Sequence, residues 1–308
     1  MSIKVIGHKV PDTDATTSAI TFSWLLNEVL KVEATPYVLG KPNREAMYVL
    51  DRFSIPTPDM LSSIAEGEDI AIVDTNNPEE LLENIEKANI LYIFDHHKLG
   101  GLTTSTPLRV NIQPLASTNT IIYLEAKNRN ATIPSQIAGL MLSGIVSDTL
   151  EFRSPTTTST DKEAAEELAK IAGVDIHGLA AEMFAAKSYI GDMGIREILL
   201  ADHKNYTFGG KSYKVAVFET TDPGQVLEKK DELVAEMESV KRVENLEEVL
   251  FFVIDILNTN AALVISNSHV EEIGIKAFGG NVQDGVMSLP GVASRKKQIV
   301  PPLEKVLG

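Results

Sequence analysis

Up to about residue 113 the chain alternates short apolar runs, at residues 3–7, 34–39, 69–74, 90–95 and 108–113, with helical patterns or loops. Runs of that length separated by helix-period stretches predict strands of βαβ units and hence a parallel sheet. Between the first two runs, from near Thr16, the residues Ser18, Ala19, Ile20, Phe22, Trp24, Leu25, Leu26, Val29 and Leu30 give a largely apolar helix. It is expected to be buried against the sheet, with Trp24 in the core. Asn77-Pro78-Glu79-Glu80 offers an N-cap, a proline at the first helical position and acids in the first turn, and Thr160 with Glu163 reads as a capping box. Residues 133–146 are apolar nearly all round and predict a central helix between layers, delivering Ser147-Asp148-Thr149 at its end.

Helical patterns at 161–171 and 175–187 follow, and Ser188-Tyr189-Ile190-Gly191-Asp192-Met193-Gly194 then breaks the periodicity. This stretch reads as a linker between a domain of residues 1–187 and one of residues 195–308. Beyond it come hairpin signals at Gly209-Gly210 and Asn258-Thr259-Asn260, a charge-rich helix over 225–243 and apolar strands such as 249–256. The expected fold class is α/β: an N-terminal doubly wound, mainly parallel-sheet domain and a smaller C-terminal mixed-sheet α/β domain.

Composition narrows the function. At 308 residues the chain exceeds one typical core, and 44% apolar residues can fill two. No apolar run approaches the roughly 20 residues that span a bilayer. Met1-Ser2-Ile3-Lys4-Val5 lacks the charged head and apolar core of a signal peptide, so a cytoplasmic chain with no membrane partner is expected. The absence of cysteine leaves histidine and carboxylate as the only strong metal ligands. A balance of 28 basic against 43 acidic residues, net −15, opposes nucleic acid as a partner, and an anionic substrate would need local positive charge. Leu289-Pro290-Gly291-Val292-Ala293-Ser294-Arg295-Lys296-Lys297 concentrates three cations; by itself it reads equally as a solvated basic turn.

The chemistry starts at Gly7-His8-Lys9-Val10-Pro11-Asp12-Thr13-Asp14, where an imidazole and two carboxylates share one strand-to-helix loop. Pro-Asp-x-Asp is also an ordinary turn, with Asp14 as the cap, but repelling carboxylates gathered at a strand end favour a cation between them. Asp74 closes the third apolar run and Asp95-His96-His97 the fourth, so His8, Asp12, Asp14, Asp74, Asp95, His96 and His97 can meet at the carboxyl edge of one sheet. More carboxylates than one metal requires suggests two metals, about 3.5 to 4 Å apart, bridged by Asp74. Histidine ligands shift preference from Mg²⁺ toward Mn²⁺ or Co²⁺, with manganese expected.

In order and spacing, His8-Lys9-Val10-Pro11-Asp12-Thr13-Asp14, Asp74, Asp95-His96-His97 and Gly144-Ile145-Val146-Ser147-Asp148 resemble the four motifs of the DHH phosphoesterase superfamily. With Ser294-Arg295-Lys296-Lys297 and its length, the chain resembles a family II (manganese-dependent) inorganic pyrophosphatase over essentially all of its residues. The resemblance implies hydrolysis of pyrophosphate to two orthophosphates, a catalytic N-terminal domain, a C-terminal domain that closes over the substrate, and a homodimer formed through N-terminal domains. It implies one Mn²⁺ on His8, Asp12 and Asp74 and a second on Asp14, Asp74, His96 and Asp148, with Mg²⁺ arriving with the substrate. A hydroxide shared by the metals would attack one phosphorus. His97 would contact the substrate and protonate the leaving phosphate, Asp95 would orient a histidine, and Lys204, Arg295 and Lys296 would grip the phosphates.

Rival readings are an exonuclease or cyclic-dinucleotide phosphodiesterase of the same superfamily and a non-catalytic metal or nucleotide sensor. The first typically ends in a Gly-Gly-Gly-His segment, and Gly279-Gly280-Asn281 lacks its third glycine and its histidine. No regulatory domain supports the second. His177, His203 and His269 read as surface or structural; Lys9 and Lys98 flank the motifs without an assigned role.

Overall fold

The structure, a computed structural model, describes residues 2–308 in two compact units that divide between Ala186 and Lys187. In the first unit β1 (Ile3–Ile6), β2 (Ala34–Val38), β3 (Asp59–Met60), β4 (Asp69–Val73), β5 (Asn89–Asp95) and β6 (Arg109–Ile112) form one sheet. Their order is β3-β2-β1-β4-β5-β6, with every pair parallel. The chain leaves β1 for β2 on one side and later enters β4 on the other, so the order reverses between β1 and β4. The carboxyl ends of strands at such a reversal open a crevice for ligands.

The helices are α1 (Thr13–Trp24), α2 (Arg44–Arg52), α3 (Thr118–Asn128), α4 (Ser135–Thr149), α5 (Ser159–Ala172) and α6 (Ile176–Ser188). The apolar circumference expected over 133–146 is realised in α4, which is buried along most of its length and packs against α1, α3 and α5. A separate cluster joins Ile6, Ile70, Ile72, Ile90 and Ile93 of the strands to Leu61, Ile64, Leu81 and Ile85 of the connections.

Several local expectations shift. Helix α1 begins at Thr13, and its cap is Asp12, whose Oδ1 accepts the Ala15 N–H at 2.9 Å, not Asp14. Trp24 is half-buried instead of core: from Leu25 to Leu30 the helix widens into a π turn, and Leu25 and Leu26 take the inward positions. Pro78–Glu80 is a single 3₁₀ turn, because the next residue, Leu81, is extended and drops into the core. The capping box of α5 is Thr158 with Asp161, not Thr160 with Glu163. The burial of Asp161, which also accepts the Ala116 N–H, fixes that choice.

The second unit contains α7 (Ile195–Leu199), β7 (Asp202–Phe208), β8 (Lys211–Thr220), α8 (Pro223–Leu227), α9 (Lys230–Val243), β9 (Glu248–Asp255), β10 (Asn260–Val264), α10 (Ser268–Phe278), β11 (Val282–Gln283), β12 (Val286–Pro290) and α11 (Val300–Leu307). The sheet order is β11-β12-β10-β9-β8-β7, with β8 and β9 parallel and the other pairs antiparallel. The continuous apolar run of β9 is buried on both faces. Leu250, Phe252 and Ile254 pack with Val270, Ile273 and Leu303, while Val249, Phe251 and Val253 pack with Leu233, Met237 and Val240. The helix expected over 225–243 is divided into α8 and α9. In the stretch expected as a linker, Ile190 joins the core of this unit beside Ile198 and Leu199. Among the described residues no helix is long and apolar enough to cross a membrane.

Candidate metal centre

Three strand ends and two helices supply the centre. His8 follows β1, Asp12 and Asp14 flank the start of α1, Asp74 follows β4, Asp95 ends β5 with His96 and His97 after it, and Asp148 lies in the last turn of α4. Asp74 turns the chain sharply off β4 with a φ of 60°, in the left-handed region that aspartate tolerates better than most residues. His8 Nε2 lies 3.5 Å from both Asp12 Oδ2 and Asp74 Oδ2. His96 Nε2 lies 3.3 Å from Asp74 Oδ1, 3.5 Å from Asp148 Oδ2 and 4.0 Å from Asp14 Oδ2. The fold thus gathers three overlapping donor sets, each compact enough to hold an ion: His8, Asp12 and Asp74; Asp14, Asp74, His96 and Asp148; and Asp74, His96 and His97.

The donor atoms fit a metal. His96 Nδ1 faces the Leu115 carbonyl oxygen at 3.1 Å, which places one ring proton there and leaves Nε2 as the nitrogen that can meet a metal once its own proton is displaced. That Nε2 is buried and makes no hydrogen bond, although three carboxylate oxygens surround it. Ligands about 2.1 Å from a shared ion lie about 3 to 3.5 Å from one another, close to these separations.

Electrostatics agree. Burial lowers the pKa of His8, but hydrogen bonding and charge from Asp12 and Asp74 outweigh it and raise the imidazole to about 10. Burial lowers the pKa of His96 too, but the close carboxylates of Asp74 and Asp14 outweigh it and raise the imidazole to about 9. Asp14 is pushed up to about 7, by burial and then by the charge of Asp74. Burial also acts upward on Asp74, yet His8 and His96 hold its carboxyl below the usual carboxylate range. Imidazolium charge stands among the carboxylates where metal charge can stand instead.

Side chains behind the donors hold them. Asp95 is wholly buried; its Oδ1 accepts from the His97 N–H at 3.0 Å and faces His97 Nδ1 at 2.9 Å, fixing a ring that is half-exposed. The hydrogen bond with Asp95 is the main cause of a raised His97 pKa. Asn76 Nδ2 donates to the other Asp95 oxygen at 2.5 Å. A cavity of about 280 Å³ beside the imidazoles is lined by His8, Lys9, Val10, Glu80 and His97.

Other contributors carry no distinctive signal in the sequence. Ser117 Oγ and Asn119 Nδ2 donate to Asp14 Oδ1 at 2.6 and 2.8 Å, from the start of α3. Buried Glu45 accepts from Thr13 and Ser147, at 2.7 Å each, and so ties the Asp12–Asp14 loop to the helix end that carries Asp148. The sequence signal for the first pair is a polar Ser-Thr-Asn triplet opening an apolar helix; for Glu45 it is an acid in the first turn of α2. Each also describes an ordinary helix start.

Two family models match the chain: the DHH family, N-terminal domain, over residues 2–145, and the DHHA2 domain over residues 181–306. A probable manganese-dependent inorganic pyrophosphatase of Deinococcus radiodurans is 40% identical over 98% of both chains. A manganese-dependent inorganic pyrophosphatase of Methanothrix thermoacetophila is 37% identical, covering 98% of this chain and 97% of the other. The chain belongs to the manganese-dependent, family II inorganic pyrophosphatases. A crystal structure of a putative family II inorganic pyrophosphatase of Methanococcus jannaschii superposes with a TM-score of 0.64 at 35% identity, covering 99% of each chain. An exopolyphosphatase-related protein of Bacteroides fragilis, 14% identical with a TM-score of 0.52, shares the fold.

In this family II member the first unit carries all the candidate metal donors, and the second carries Lys204, Arg295 and Lys296. Lys204 lies on β7 two residues from Asp202, on the same face of the strand, and Asp202 Oδ1 pairs with Arg295 Nη1 at 2.9 Å. Arg295 opens a π turn capped by Ser294, and Lys296 beside it is exposed. The two cationic segments are therefore brought together, with Asp202 between them as an acid that the sequence did not single out.

Gly144 gives this centre a testable packing constraint. A Cβ there would stand 2.3 Å from Asn119 Nδ2 and 2.6 Å from Asp14 Oδ1. In an open helix Gly→Ala gains about 1 kcal/mol. Here overpacking costs about 1 to 3 kcal/mol and displaces Asp14. Gly144→Ala is expected to lower both the unfolding midpoint and Mn²⁺ affinity; a midpoint equal to or above that of the parent contradicts the close approach.

Proposed function

We propose that the chain hydrolyses pyrophosphate to two orthophosphates at a two-manganese centre, one ion on His8, Asp12 and Asp74 and the other on Asp14, Asp74, His96 and Asp148. The observation that carries this reading is the division of Asp74: Oδ2 lies 3.5 Å from His8 Nε2, and Oδ1 lies 3.3 Å from His96 Nε2. Bound in those positions, divalent cations supply a water of lowered pKa and Lewis-acid withdrawal of phosphoryl charge. Co²⁺ suits the same donors, and Mg²⁺ suits the phosphate oxygens of the substrate.

The chain's own groups do the rest. Asp95 holds His97 through Nδ1, so that Nε2 faces the substrate and gives a proton to the leaving phosphate. Arg295 offers a planar fork for phosphate oxygens, while Lys204 and Lys296 add point charge. Asp202 keeps Arg295 in place until the more highly charged phosphates displace it. We further assign the protein to the cytoplasm, with neither nucleic acid nor membrane as partner. Its assembly is a homodimer through N-terminal units, for which the edge strand β6 with exposed Val110 is a suitable surface.

Metal-stripped protein reloaded with Mn²⁺ or Mg²⁺ is offered pyrophosphate, a short oligonucleotide and a cyclic dinucleotide. Orthophosphate release from pyrophosphate, faster with Mn²⁺, is the expected result; cleavage of the nucleotides alone, or of nothing, overturns the reading. Lys296→Ala is expected to lower kcat/KM for pyrophosphate by about 10-fold or more, as loss of a charge-assisted contact of about 1.5 to 3 kcal/mol implies. An unaltered kcat/KM removes Lys296 from substrate binding.

A further inference from the structure

Lone pairs decide how a carboxylate meets a metal. An ionised carboxylate oxygen has two, and a hydrogen bond on one fixes the direction of the other. Asp14 and Asp74 are wholly or almost wholly buried, so protein donors set their orientation. Asp14 Oδ1 accepts from Ser117 Oγ and Asn119 Nδ2, which leaves Oδ2 as its more open atom. One residue then reaches both carboxylates: the Thr118 N–H donates to Asp14 Oδ2 at 2.8 Å, and the Thr118 hydroxyl donates to Asp74 Oδ1 at 3.0 Å.

These two oxygens are not arbitrary. They are two of the three carboxylate oxygens around the unpartnered His96 Nε2, at 4.0 and 3.3 Å. Thr118 therefore occupies one lone pair on each and leaves the other for the space in front of His96. Its own position is rigid. It is the first residue of α3, behind the Ser117 cap, and both neighbouring turns are pinned by buried Asp161, which accepts the Ala116 N–H and, at 2.7 Å, the Thr120 hydroxyl. Asp161 in turn belongs to the capping box of α5. Placement of the two carboxylates is thus built into helix packing and does not depend on the loops alone.

We propose that Thr118 is a positioning residue of the metal centre, aligning Asp14 and Asp74 on a common ion through its backbone N–H and its hydroxyl. The proposal rests on the metal reading given above. Thr118→Val keeps the shape and the backbone bond to Asp14 but removes the donor to Asp74; Thr118→Ser keeps the donor and removes only a methyl group.

Mn²⁺ binding to the metal-stripped proteins is measured by calorimetry, together with the unfolding midpoint of each metal-free form. Expected is a loss of about 10- to 100-fold in Mn²⁺ affinity for Thr118→Val, the range seen when partners of metal ligands are removed. Thr118→Ser should stay within about threefold of the parent, since it restores the same partner. Thr118→Val binding like the parent overturns the proposal, and so does Thr118→Ser losing as much as Thr118→Val, because packing would then be the cause. Should Thr118→Val not fold, Thr118→Ala is compared with Thr118→Ser by the same criterion. A parent protein that binds no Mn²⁺ refutes the metal centre itself, an outcome distinct from either failure of Thr118.

Discussion

Asp74→Asn should abolish the joint metal centre while leaving the fold intact. Asparagine adopts the left-handed backbone that Asp74 occupies, with its φ of 60°, and retains a carbonyl oxygen for the Thr118 hydroxyl. What it loses is the charge, and one of the two oxygens that face His8 and His96 separately. Metal catalysis of phosphoryl transfer is worth several kcal/mol, so turnover should fall by on the order of 10³-fold or more. The same variant should take up fewer Mn²⁺ ions in equilibrium dialysis, with an unfolding midpoint of the metal-free protein near that of the parent. Two tightly held Mn²⁺ ions in Asp74→Asn would show that Asp74 is not the bridge. Alanine is a poorer choice at this position, because a left-handed alanine is strained and mixes a folding defect with the metal effect.

The second large effect is expected at His97 and has the opposite signature. The ring is half-exposed, is fixed by Asp95 at 2.9 Å, and stands beside His96 at 4.1 Å between ring centres without belonging to either of the two donor sets assigned to metal. His97→Gln should lower kcat by about 10²- to 10⁴-fold, the range for loss of a general acid. Mn²⁺ stoichiometry and affinity should remain those of the parent. Unchanged turnover would remove His97 from the chemistry, and loss of Mn²⁺ would place it among the ligands. Asp95→Asn offers a check on the same arm, since it disturbs the imidazole without touching substrate.

The strand ends were legible because a run such as Ile70-Ala71-Ile72-Val73 stops abruptly at Asp74, and Ile90-Leu91-Tyr92-Ile93-Phe94 at Asp95-His96-His97. Apolar-to-ionisable transitions at the ends of buried parallel strands mark one edge of a sheet, and that edge is where the groups meet. Asp148 could be placed only by resemblance, since its approach to His96 depends on how α4 crosses the unit. Thr118 stayed hidden for the same reason. Gly144 belongs to the motif that placed Asp148, but its close approach to Asp14 crosses a long stretch of intervening chain and has no local signal.

Caps failed differently. Thr158, Ser159 and Thr160 are all competent, and the burial of Asp161 chooses among them. At the start of α1, Asp12 and Asp14 are chemically equivalent candidates; the polar start of α3 captures Asp14 and leaves Asp12 to cap the helix. Trp24 leaves the core because the constant pitch of a helical wheel does not hold here: the chain widens its turns just beyond it.

The most direct test is an anomalous-scattering map of the Mn²⁺-loaded crystal, recorded on both sides of the manganese absorption edge. The account predicts two peaks about 3.5 to 4 Å apart, one touching His8, the other touching His96, and both touching Asp74. A single peak, or two peaks that do not share Asp74, contradicts it.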